Sequence, residues 1–197
     1  MSKLILHLCA DIGSDSKPYL DAGYEVICIG RDIGVENYHP PEGVYGVIAN
    51  PPCTMFSFAR TKAKKPRDLK QGMELVQECL RIIWECQYRI KSDHQKLSPL
   101  KFWVLENPHA MLRWFLGKPA MIYSPHEFGE TYQKKTCLWG QFNEPKKTIW
   151  CKPQGVAKFD RMASKDIHTE HFGKFTRTER RSICSPKFAQ AFFEANP

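Results

Sequence analysis

Gly46-Val47-Ile48-Ala49-Asn50-Pro51-Pro52-Cys53-Thr54-Met55-Phe56-Ser57 is a short apolar run that stops at two prolines and delivers a cysteine. The run reads as a buried strand, and Pro51-Pro52 cannot continue a sheet, so Cys53 sits in a stiff turn just beyond the strand's carboxyl end. An open α/β sheet presents its chemistry at that edge. A second stretch, Phe102-Trp103-Val104-Leu105-Glu106-Asn107-Pro108, has the same form: an apolar run, a carboxylate, then a stop. A nucleophile and a carboxylate are thus expected to leave the same edge of one sheet.

The flanking sequence supplies the rest of that sheet. Leu4-Ile5-Leu6-His7-Leu8-Cys9 reads as a first strand, residues 16–23 as a short helix ending at Gly23, and Tyr24-Glu25-Val26-Ile27-Cys28-Ile29 as a second strand. Residues 46–49 are the third strand and 102–106 the fourth, with a fifth at 137–140. Between them, residues 68–91 predict a long helix with Leu69, Met73, Val76, Leu80, Ile83 and Gln87 along its stripe. Strands alternating with helices predict a parallel, doubly wound α/β sheet. From residue 141 periodicity weakens until an amphipathic helix beginning at Pro186. The expected organisation is a core over residues 1–140, a reduced, loop-rich basic region over 141–180, and a C-terminal helix within 181–197 packing back on the core.

The 197 residues suit one domain, and a hydrophobic content of 42% supports a core. No apolar stretch approaches the roughly 20 residues of a membrane span, and the N-terminus carries no cleavage pattern. A soluble, cytoplasmic protein is expected. Net charge is +8. Residues 1–140 hold 18 Lys and Arg against 15 Asp and Glu, and residues 141–197 hold 11 against 6, so the excess is denser in the last third. A second basic patch, Arg60, Lys62, Lys64, Lys65, Arg67 and Lys70 against Asp68 alone, begins shortly after Cys53. Two such patches favour a polyanionic partner. The nearby cations are also expected to lower the Cys53 thiol pKa. Eight cysteines lie scattered with no CxxC pair; those inside apolar runs, Cys28 among them, are expected to be buried thiols.

Three further segments carry site candidates. Asp11, Ile12 and Gly13 form the turn after the first strand, and Asp32 follows the second, a placement that suits a nucleotide or adenosyl cofactor. Gln133, Lys134 and Lys135 precede an apolar run and suit phosphates or a base edge. Cys151, His168, His171 and Cys184 include zinc-ligand types, but no two cysteines pair at ligand spacing, and no metal is assigned.

In this order the segments resemble the C5-cytosine DNA methyltransferases, in a short phage- or prophage-type version. Pro52-Cys53-Thr54-Met55-Phe56-Ser57 is similar to that family's catalytic Pro-Cys-x-x-Phe-Ser loop. Glu106-Asn107-Pro108 is similar to its Glu-Asn-Val segment, and Gln133-Lys134-Lys135 to its Gln-x-Arg-x-Arg segment with lysines for arginines. Asp11-Ile12-Gly13 stands in the cofactor-loop position without the usual Phe-x-Gly-x-Gly. The likeness covers about residues 4–140. It implies a Rossmann-like, S-adenosylmethionine-dependent fold with a small basic C-terminal appendage. It also implies catalysis by Cys53 and Glu106 with Pro52 and Asn107. The cofactor would be held by Asp11, Ile12, Gly13, Asp32, Asn50 and Pro51, and substrate by Ser57, Arg60, Lys62, Gln133, Lys134 and Lys135. The implied partner is DNA, single-stranded DNA included, or a cytidine nucleotide. Two other readings stay open: Asn50-Pro51-Pro52 also looks like the Asn-Pro-Pro-aromatic loop of amino-methyltransferases, and the missing glycines suit a non-catalytic nucleic-acid-binding protein.

Overall fold

A computed structural model of the chain describes residues 2–10, 12–61, 63–88, 100–158, 168, 171 and 173–197, with the side chains of 177 and 178 set aside. The elements follow in the order β1 (Leu4–Leu8), α1 (Lys17–Asp21), β2 (Glu25–Ile29), β3 (Val44–Ala49), α2 (Leu69–Tyr88), β4 (Phe102–Pro108), α3 (Arg113–Leu116) and β5 (Met121–Tyr123). A 3-10 turn over Pro125–Phe128 leads to β6 (Tyr132–Gln133), β7 (Thr136–Gln141), β8 (Ala157–Lys158), α4 (Arg177–Ser182) and α5 (Pro186–Ala195).

Six strands form one mostly parallel sheet in the order β2-β1-β3-β4-β7-β5. After β1 the chain goes first to one side, to β2, and then to the other, to β3. The crevice between the ends of β1 and β3 is therefore the sheet's topological switch point. Register sets the levels there: Leu8 lies opposite Ala49, and Ala49 opposite Leu105, so Asn50 and Glu106 leave adjacent strands side by side.

Strand alternation divides the core in two. Leu6, Leu8, Val47, Ala49 and Leu105 face α2. Ile5, Ile48, Val104 and Leu138 face α1 and α5, where Tyr19, Phe188, Ala189 and Phe192 complete a second cluster. Helices thus cover both faces. The buried stripe of α2 is Gly72, Val76, Cys79, Ile82, Ile83 and Cys86, rotated from the expected one. Leu69, Met73 and Leu80 only flank it, and Gln87 instead accepts the Leu100 N–H at 3.1 Å.

The strand expected at 137–140 runs over 136–141, and it is antiparallel, wedged between β4 and β5. Residues 124–135, which join β5 to β7, hold a 3-10 turn and the short β6 but no crossover helix, which a parallel neighbour usually needs. Gly140, at φ 149°, lies with its Cα directly against the Trp103 carbonyl, where any Cβ would collide with β4 backbone. Cys28 is exposed rather than buried, because β2 is the sheet's edge.

Helix α5 begins with Ser185, whose Oγ accepts the Phe188 N–H at 3.2 Å, with Pro186 next, as helix starts prefer. It lies on the sheet through Phe188, stacked on Tyr123 with ring centroids 3.7 Å apart. The Tyr19 hydroxyl donates to the Asn196 carbonyl at 2.9 Å, fastening its far end. Among the described residues no helix is long and apolar enough to cross a membrane.

Candidate active site

The Cys53 loop is built from its backbone outward. The Cys53 carbonyl accepts the N–H groups of Phe56, at 3.0 Å, and Ser57, at 2.8 Å, which closes a tight turn. Phe56 is fully buried and reaches α2 at Gly72, where an added Cβ would sit 3.0 Å from the ring, a tight contact. Arg67 donates from Nη1 to the Met55 carbonyl and from Nη2 to the Ser57 carbonyl, both at 2.8 Å. Its planar fork suits two adjacent carbonyls. From β4, the Asn107 amide donates to the Pro51 carbonyl at 2.9 Å. Three separate elements therefore hold one loop. Asn107 positions that loop; its side chain is buried.

Behind Cys53 lies a polar line on the α5 side of the sheet. The His7 ring has Nδ1 at 2.8 Å from Ser16 Oγ and Nε2 at 2.8 Å from Asn50 Oδ1. The Asn50 amide nitrogen points at two carboxylates, Asp15 at 3.4 Å and Glu106 at 3.5 Å. An amide facing carboxylates must present its N–H groups, so its oxygen faces His7. Nε2 then carries the ring proton, and Nδ1 faces the Ser16 hydroxyl, which also lies within donating distance of the Gly13 carbonyl at 3.2 Å. Burial pushes the His7 pKa down, against the pull of Asp15, and the ring is neutral in this line.

Charge in the site follows from burial and one lysine. Burial raises the pKa of Glu106; Lys134 opposes the rise and Asp15 adds to it. Burial likewise pushes the Cys53 thiol up, Lys134 and Arg181 pull it down, and the Glu106 charge pushes it further up. The expectation of a thiol lowered by the 60–70 cations does not hold. Arg67 is spent on loop carbonyls, and the cations that act on Cys53 come from Lys134 and α4. Burial therefore disfavours charge at both Cys53 and Glu106, and Lys134 opposes it at both.

The remaining expected residues are placed as follows. Pro51 is buried and Pro52 exposed. Ser57 Oγ accepts the Ala59 N–H at 3.2 Å, and Arg60 is half-buried just after it. Gln133 is turned to β8, donating to the Val156 carbonyl at 3.3 Å. Lys135 is exposed, and its carbonyl accepts the His109 N–H at 2.9 Å. Lys134 alone of this trio acts on Cys53 and Glu106. Ile12 and Gly13 are half-buried, Gly13 at φ 70° in a turn that glycine favours. Asp32 is exposed past the end of β2, beside Ile33, whose side chain is 56% exposed. Asp11 and Lys62 lie outside the described residues, as do residues 159–167, 169, 170 and 172.

Sequence reading missed His7, Asp15, Ser16, Arg67 and Arg181. His7 left a signal, a polar residue in the centre of an apolar strand, which requires a buried partner. The others left none, because their roles come from loops meeting across the sheet edge. The chain matches no known protein-family model and no curated protein.

Proposed function

We propose that this chain is an S-adenosylmethionine-dependent methyltransferase that modifies C5 of cytosine in DNA through a covalent Cys53 adduct. The observation that carries the reading is the placement of Cys53 and Glu106 at the ends of the adjacent parallel strands β3 and β4, next to the switch point, with Lys134 acting on both. A thiol and a carboxyl acted on by the same lysine suit an addition in which the sulfur gives up its proton as it attacks the ring and the carboxyl hydrogen-bonds the ring's polar edge.

The cofactor loop fits an adenosyl group. Asp32 offers an exposed carboxylate for a ribose diol, Ile33 an exposed apolar face for a purine, and the Gly13 turn a close backbone approach at the neighbouring strand end. Bound there, S-adenosylmethionine supplies the methyl group that C5 takes up. The chain's own work is nucleophilic and electrostatic. The Cys53 thiolate forms a bond to C6, and the C5–C6 π pair moves toward C5. Glu106 shares its proton with N3 and accepts from the exocyclic amine, stabilising the charge that develops in the ring. C5 would then give up its proton to solvent, the electron pair return to the C5–C6 bond, and the Cys53–C6 bond break to release the thiolate. Asn107 and Arg67 keep the loop in register throughout. The target base has to be out of the base stack to meet both groups.

The amino-methyltransferase reading is weaker, because it needs the Asn50 carbonyl to receive an exocyclic amine. That oxygen already accepts from His7, and the amide is engaged by two carboxylates.

The test is nucleoside mass spectrometry after incubating protein and S-adenosylmethionine with DNA, RNA or free cytidine nucleotides. C5-methylcytosine in the DNA pool, lost in Cys53→Ser, is the expected result. An N-methylated base, or C5 methylation of free nucleotides alone, would overturn the proposal, and no product together with no cofactor binding would identify a binding protein.

A further inference from the structure

Large aromatic side chains lie open to solvent beside the Cys53 loop. Phe58 is 50% exposed, Trp114 62% and Phe115 47%. Phe58 and Trp114 face each other with ring centroids 5.9 Å apart, and Phe115 rests its edge on the buried Phe56 at 6.1 Å. The group is fixed to the catalytic turn. Met111, which leads into α3, donates its N–H to the Phe56 carbonyl at 3.2 Å, so α3 and the turn move as one piece. Burying none of these rings leaves a large apolar area in water, which marks an interaction surface.

The surroundings are cationic. Lys64, Lys65 and Lys135 are exposed. The field around α3 is strong enough to act on its neighbour: His109, lowered first by burial, is lowered further by Arg113 and Lys135. Exposed rings interleaved with exposed cations are what a single strand requires, since bases stack on the rings while phosphates meet the lysines. A duplex offers no free base faces to such rings, and an apolar protein partner would not explain the lysines.

We propose that Phe58 and Trp114 form a stacking platform for unpaired bases flanking the target, and that the substrate is single-stranded nucleic acid. This rests on the methyltransferase reading for its purpose, but its binding chemistry can be measured without any turnover. The probe is a short fluorescein-labelled oligothymidylate, which contains no cytosine, titrated by fluorescence anisotropy at several salt concentrations against a duplex of equal length.

The single strand is expected to bind more tightly than the duplex. Phe58→Ala/Trp114→Ala should weaken single-strand binding by about tenfold or more with an unchanged salt slope, because stacking releases no counterions. Lys64→Ala/Lys65→Ala should instead flatten the slope of log K against log salt by about 1.4, at roughly 0.7 per phosphate contact. All four side chains are solvent-facing, and matching unfolding curves will show that the variants fold. Equal or tighter duplex binding, or a ring variant that binds like the parent, would overturn the proposal. So would self-association that Trp114→Ala abolishes while oligonucleotide binding persists, which would assign the rings to a protein interface. Trp114-dependent binding without any methylcytosine leaves the platform standing and removes the methyltransferase reading. Methylcytosine formation indifferent to Trp114 does the reverse.

Discussion

Replacing Gly72 by alanine sets two magnitudes against each other. In a helix interior the change should stabilise by about 0.5–1 kcal/mol, through lower backbone entropy in the unfolded chain. Here the new Cβ would lie 3.0 Å from Met55 Cβ and from Phe56 Cζ, and 3.3 Å from Phe56 Cε2. These neighbours yield poorly. Phe56 is fully buried, and the Met55 carbonyl is held by Arg67. Overpacking of that kind costs about 1–3 kcal/mol, so Gly72→Ala should end between neutral and about 2 kcal/mol less stable. Phe56→Ala, by comparison, should lose about 3–5 kcal/mol. The larger consequence falls on the site, because the contact is relieved by moving the Cys53 turn by a few tenths of an ångström. A misplacement near 1 Å can cost on the order of 100-fold in rate, and about tenfold in turnover is expected here. Urea unfolding at constant m gives the stability. Iodoacetamide labelling of the native protein, read at the Cys53 peptide by mass spectrometry, reports the loop without relying on any activity. A variant more stable by about 0.5–1 kcal/mol with unchanged Cys53 labelling would show that α2 does not set the turn.

The other predictions concern charge and the loop's remaining anchor. Because the His7 pKa is lower folded than unfolded, its contribution is complete above about pH 6.5 and is lost as pH falls below that, at no more than about 1.4 kcal/mol per pH unit; His7→Gln should flatten that part of a stability–pH curve, and an unchanged slope would mean the ring is not buried neutral. Glu106 is raised, so its native state favours the proton and loses stability as pH rises through its folded pKa. Glu106→Gln should therefore melt higher than the parent at pH 8, with the gap closing toward pH 4, while turnover disappears; a lower melting temperature at pH 8 contradicts the sign. Arg67→Lys should behave like Arg67→Ala, each losing about 1–3 kcal/mol and labelling faster at Cys53, since lysine cannot bridge two carbonyls; rescue by lysine would mean that charge alone matters.

What the sequence disclosed depended on the range of the interaction. Strands β1 to β4 were visible because parallel strands buried on both faces are written as continuous apolar runs, and Leu4–Leu8 and Val44–Ala49 are such runs. The Cys53 turn and the Glu106 stop were visible because proline interrupts a strand locally. The sense of β7 was hidden, since its alternation is the same in either direction and only the lack of a crossover helix in the link from β5 marks it. The stripe of α2 was misjudged because Leu69 and Leu80 outrank Cys79 and Cys86 in apolarity, whereas the helix turned its smaller residues toward the sheet. Most hidden was the source of positive charge at Cys53. The lysines closest in sequence serve the loop's outer surface, and Lys134 reaches the thiol only after β6 and β7 bring it back across the sheet edge.

The line from His7 through Asn50 has a direction: the ring gives its proton to the Asn50 oxygen, the amide gives its two to Asp15 and Glu106, and the Ser16 hydroxyl sits between Nδ1 and the Gly13 carbonyl. No member can be exchanged alone. Aspartate at position 50 would face His7 with one oxygen and two carboxylates with the other, and alanine at 16 would leave the imidazole nitrogen bare. Positions 7, 16 and 50 should therefore vary across relatives as a single heritable unit, changing together or not at all. When relatives are aligned, that covariation will be a record of a proton order that no individual residue reveals.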